Sequence, residues 1–66
     1  MSKDLKLRYV PKYKRELGEG ITREAIFRSI DQMHRAGLID RAQANTIADC
    51  VWIAQSELRA ERSGSQ

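Results

Sequence analysis

Cys50 and His34 are the only cysteine and the only histidine in these 66 residues, and together they are the one pair whose types could serve as nucleophile and base. Their setting speaks against that chemistry. Cys50 sits beside Val51 in an apolar stretch with no nearby cation to lower a thiol pKa, the pattern of a packed, inert sulfur. His34 has no second histidine within helical reach and no serine placed beside it. A closed zinc site needs four nitrogen or sulfur ligands, and these two residues are all the chain offers. Gly18-Glu19-Gly20 lacks the lysine and the serine or threonine of a phosphate-binding loop. The expectation is therefore a protein that is not an enzyme, with no catalytic residues, no metal and no cofactor.

Two other groups have the composition of binding surfaces. Tyr9 and Tyr13 are interleaved with Lys6, Arg8, Lys12, Lys14 and Arg15, the mixture with which proteins stack bases and contact phosphates. The same residues also suit an ordinary solvated segment. Trp52, the only tryptophan, lies among Val51, Ile53, Gln55 and Leu58, and aromatic anchors of this kind dominate interface energetics. Its plainer role is a filler where helices cross.

The charge is unevenly placed. Residues 1–20 carry Lys3, Lys6, Arg8, Lys12, Lys14 and Arg15 against Asp4, Glu16 and Glu19, so the chain's entire net charge of +3 belongs to them. Arginines and acidic residues balance beyond Gly20. A basic arm on a neutral body suggests an anionic partner for the arm.

The elements that must position these groups follow from periodicity and capping. From Asp4 to Val10 the pattern alternates, Leu5, Leu7 and Tyr9 against Lys6, Arg8 and Val10, which predicts a short extended segment ended by Pro11. Lys12 to Leu17 could add one or two helical turns, with Gly18 as the stop. Thr22 then caps a helix to about Ala36, whose apolar stripe is Ile26, Ile30 and Met33 with Phe27 beside it. Gly37 can close that helix in the left-handed conformation. Asp40 and Gln43 form a capping box that opens a second helix from about 41 to 62, with a seam of Ala44, Ile47, Val51, Ala54 and Leu58. So short a joint folds two helices into an αα-hairpin. The second helix is broader in apolar surface than the first can cover, and the surplus around Trp52 and Ile53 is the candidate dimer or partner surface.

A chain of this size buries roughly 60% of its unfolded surface, and one core yields about 3–5 kcal/mol. A lone cysteine excludes an internal disulfide, which leaves self-association as the remedy. The charged opening with no apolar stretch behind it predicts no export signal, and no apolar run approaches the ~20 residues of a membrane span. A reducing, cytoplasmic setting fits the unpaired thiol.

A strand followed by helices in a small basic chain resembles the ribbon-helix-helix repressors. Gly20-Ile21-Thr22-Arg23-Glu24-Ala25-Ile26 is similar to the start of that family's second helix. The resemblance implies a strand-paired dimer laid in the major groove, with Lys6 and Arg8 on the reading face. It covers about half the chain, and the helical pattern after residue 40 has no counterpart in it. The turn at Gly37-Leu38-Ile39 looks like that of winged-helix proteins, but helix rather than wing strands follows it.

The sequence thus reads as mainly α: an antiparallel two-helix hairpin (about 22–36 and 41–61) in a domain spanning 21–62, a basic N-terminal arm over 1–20 with a short extended segment, a disordered tail over 63–66, and a homodimer. The function it suggests is a small non-catalytic regulator or inhibitor of a larger protein partner, of the sort mobile elements carry. Val51, Trp52, Ile53, Gln55 and Leu58 would form the partner or dimer interface. The alternative is a nucleic-acid-binding regulator using Lys6, Arg8, Tyr9, Lys12, Tyr13, Lys14 and Arg15. No membrane partner is expected.

Overall fold

A computed structural model describes residues 2–64 of the chain as three helices, α1 (Ser2–Gly18), α2 (Arg23–Arg35) and α3 (Arg41–Gly64), with no strand among the described residues. This overturns the two-helix hairpin with an extended arm: the segment read as strand and arm is a 17-residue helix. Ser65 and Gln66 of the expected tail lie outside the described residues, and α3 runs through Ser63 and Gly64.

The reason α1 is helical lies in a period masked by the alternation of Leu5, Leu7 and Tyr9. Tyr9, Val10, Tyr13 and Leu17 recur at helical spacing, and Leu5 lies one turn before Tyr9. Val10 and Tyr13 are buried and Leu5, Tyr9 and Leu17 half-buried, whereas Leu7 falls on the outer side and is 76% exposed. A lone strand would leave its backbone groups without partners, while a helix satisfies them internally and still presents one apolar face. That gain offsets Pro11, which sits inside the helix. Proline there removes one backbone hydrogen bond and costs about 3 kcal/mol.

Both joints are closed by a glycine in the left-handed region. At the end of α1 the Ile21 N–H donates to the Glu16 carbonyl (3.0 Å) and the Gly20 N–H to the Leu17 carbonyl (3.2 Å), with Gly20 at φ 98°. At the end of α2 the Leu38 N–H donates to Met33 (3.0 Å) and the Gly37 N–H to His34 (3.0 Å), with Gly37 at φ 78°. Each is a Schellman closure. Gly37 acts as its sequence context predicts; at the first joint the stop is Gly20, and Gly18 is the last residue of α1.

The N-termini of α2 and α3 are capped as expected. Thr22 Oγ1 accepts from the Ala25 N–H (3.2 Å). Asp40 Oδ1 accepts from the Gln43 N–H (2.7 Å) while Gln43 Oε1 accepts from the Asp40 N–H (2.9 Å), a complete reciprocal box.

α3 is the spine, and both other helices pack on it while barely touching each other. The Cys50 thiol faces the Leu5 carbonyl at 4.0 Å and Lys14 reaches Glu57 and Glu61, so α1 advances parallel to α3 along its later half. Arg23 at the start of α2 meets Gln55, and the α2 chain then returns to the joint before Arg41, antiparallel to α3. The Cα envelope is a slab of 43 × 24 × 12 Å. Its core is Val10 and Tyr13 from α1, Ile26 and Ile30 from α2, and Ile47, Cys50, Val51 and Ala54 from α3. The seam read from sequence is the inner face of α3, with Cys50 added to it.

Candidate interaction surfaces

The five α3 residues proposed as an interface separate into four environments. Val51 is fully enclosed in the core. Ile53 is half-buried in a shallow groove between α1 and α3, with Leu7, Val10 and Pro11 on the opposite wall and Lys6 and Glu57 at its edges. Leu58 is half-buried where Leu17 and Val10 approach it. α1 therefore covers part of the apolar surplus of α3 that α2 does not reach, at Val51, Ile53 and Leu58, while Trp52 stays half open.

Trp52 and Gln55 stand apart. Trp52 is 51% exposed on the α2 side of α3. The Arg23 guanidinium carbon lies 4.7 Å from its ring centroid, within cation–π range. Phe27, one turn after Arg23 on α2, approaches the indole at 5.9 Å with the rings tilted by 43°. Arg23 Nη1 donates to Gln55 Oε1 at 3.1 Å. Arg23 was not singled out in the sequence. Its spacing to Phe27 places both on one side of α2, but only the packing of α2 against α3 brings that side to Trp52.

The seven arm residues are also divided by the helix that carries them. Tyr13 is 3% exposed, and desolvation, with smaller contributions from Tyr9 and Glu16, pushes its phenol well above the usual tyrosine range. It has no face left for a base. Tyr9 is half-buried and stacks on Tyr13 at 5.6 Å and 27°, with Lys12 Nζ 5.6 Å from the Tyr9 centroid. Lys14 is held by Glu61 and Glu57, and the Glu61 hydrogen bond above all raises its pKa. Lys6 is turned toward the α1–α3 groove. Arg8, Lys12 and Arg15, at i, i+4 and i+7, form one exposed outer row with Asp4 at its head.

Cys50 is enclosed, and burial pushes its thiol pKa up although Lys6 pulls the other way. His34 is exposed in the last turn of α2. The fold does not bring the two into a pair. Asp31 pairs with Arg35, one turn further along α2, at 2.9 Å. Among the described residues no group of acidic, histidine or cysteine side chains is arranged to hold a metal, and no helix is long and apolar enough to cross a membrane.

Comparison with family models, with curated proteins and with solved structures finds no match for this chain.

Proposed function

We propose that this protein is a non-catalytic binding module that engages a larger protein, and modulates or inhibits it, through the Trp52 platform on the α2–α3 side. The observation that carries the reading is Trp52 itself: half its surface is open, yet Arg23, Phe27 and Gln55 hold it in place on two packed helices. A large side chain already ordered in the free protein loses little entropy on binding, and tryptophan and arginine are the residues most enriched at interface hot spots. The proposal includes a cytoplasmic setting, which the single unpaired thiol supports. Its test is capture of proteins from nuclease-treated lysate on the immobilised full chain, with Trp52→Ala and Ser56→Ala compared. A specific protein retained by the parent and Ser56→Ala, and lost with Trp52→Ala while the variant keeps its helical circular dichroism, supports the reading. Retention indifferent to Trp52 removes it.

The row Arg8, Lys12 and Arg15 favours a second reading, contact with nucleic-acid phosphates along the outer side of α1. Three phosphate contacts give a log K against log salt slope of roughly −2.7 on duplex DNA. Titration of duplex and single-stranded oligonucleotides at two salt concentrations tests it. No binding, or binding unchanged when Arg8, Lys12 and Arg15 are all replaced by glutamine, removes this reading.

A further inference from the structure

We infer that the Trp52 platform takes an acidic peptide segment of its partner, one carboxylate seated on the Arg23 guanidinium and an adjoining apolar side chain on the open half of the indole. The inference rests on the protein-binding reading above and adds the partner's chemistry to it.

Three other features of the surface carry less. The α1–α3 groove at Leu7, Pro11 and Ile53 is apolar, but nothing shows what would cover it. The outer row of α1 is headed by Asp4, as a solvated helix face often is. Cys50 is enclosed and solitary.

Arg23 differs from the cations that the fold pairs with acids. Lys14 is met by Glu57 and Glu61, and Arg35 by Asp31. Arg23 is met instead by neutral groups, the indole ring and the Gln55 amide oxygen at its Nη1. Among the described residues no carboxylate lies within ion-pair distance of it. A guanidinium carries five N–H donors in a planar fork, and only one is used here. Arg23 is exposed, so a partner can reach its side chain. A cation so oriented, yet not neutralised, is prepared for a bidentate carboxylate, whose charge-assisted bonds are roughly twice as strong as neutral ones. The exposed indole beside it offers apolar contact at the same place. Arg23 is the one cation at the platform, with Glu24 beside it in sequence and no lysine in α2 or α3, a setting that suits one carboxylate better than a dianionic phosphate or a nucleic-acid backbone.

Trp52 is the only tryptophan, so its fluorescence reports occupancy of the platform directly. The experiment pans a displayed library of random 12-residue peptides against the full chain, then titrates synthetic copies of the enriched peptides while following Trp52 emission. The expected peptides carry Asp or Glu within two positions of an aromatic or aliphatic residue and shift the emission. Their affinity falls at least ten-fold with Arg23→Gln, and equally when the peptide acid becomes its amide, with no further loss when both changes are combined. Arg23→Lys, which keeps the charge and loses the planar fork, falls in between. Peptides that move Trp52 emission but ignore Arg23→Gln overturn the carboxylate assignment and leave the protein-binding reading standing. No enriched peptide, tighter binding of a phosphoserine peptide or an oligonucleotide, or a doubled mass of the chain alone that reverts with Arg23→Gln, each overturns the inference. The last of these would name a second copy as the occupant.

Discussion

Lys14 in α1 reaches two glutamates one turn apart on α3, Glu61 and Glu57, the latter with Nζ to Oε1 at 3.5 Å. That clamp joins the segment with the chain's surplus charge to the helix that carries its seam. A basic residue that reads as available to an anionic partner is thereby committed within the fold.

Replacing Lys14 by methionine keeps the side-chain stem and removes the charge, so the urea midpoint is expected to fall, and the difference to shrink in high salt. The pKa of Lys14 is raised in the folded chain. Its contribution is therefore complete below the ordinary lysine value and is lost as pH rises through the folded one. Unfolding midpoints measured across the alkaline range check this: Lys14→Met should flatten the decline, and an unchanged profile would contradict the clamp.

Tyr13 is the largest side chain that α1 places in the core. Truncation to alanine should cost about 3–5 kcal/mol, close to all the stability one small core supplies. Loss of cooperative urea unfolding is the expected result, and a shift below about 1 kcal/mol would show that α1 does not pack as described.

The raised pKa of Tyr13 sets a second observable. The stability linked to its neutral phenol is complete below the ordinary tyrosine value near 10 and declines as pH climbs toward the folded value. Absorbance at the tyrosinate band should show Tyr13 resisting ionisation until the helices open, a signal that Tyr13→Phe removes. Titration of Tyr13 at the ordinary value would place it in solvent.

Pro11 is exposed and lies inside α1, so Pro11→Ala removes a helix breaker without opening the core. A gain of up to about 3 kcal/mol is expected, read as a rise in Tm by circular dichroism. A neutral or destabilising outcome would mean that the first turns of α1 are not helical in solution.

The two glycines at the first joint should respond with opposite signs. No atom lies within 4 Å of a methyl group built on Gly18 or Gly20, so space does not distinguish them. Gly20 has φ 98°, and Gly20→Ala should cost roughly 1–2 kcal/mol. Gly18 is helical, and Gly18→Ala should stabilise by about 0.5–1 kcal/mol. Thermal melts of the two variants decide which glycine turns the chain.

Arg23 shows why the candidate surface was only partly legible. Trp52 and Gln55 could be named from α3 alone, because both lie off the Ile47–Val51–Ala54 seam, Trp52 exposed and Gln55 half-buried. Arg23 belongs to another helix, and its place over the indole depends on how α2 and α3 pack, which no residue near it encodes. Val51 and Tyr13 were drawn into candidate sites for the opposite reason: their residue types suit an interface or a stacking site, and only the packed core shows both enclosed.

By itself, the sequence determined the features whose partners lie within a few residues: the Thr22 cap, the Asp40–Gln43 box, the left-handed turn at Gly37 and the inner seam of α3. These depend on local backbone geometry and hold wherever the helices go. The tertiary structure alone decided the state of residues 2–18, where a two-residue alternation and a helical spacing coexist and Pro11 opposes the helix. Packing against α3 favours the helix, because only that form satisfies its own backbone while burying Val10 and Tyr13 together.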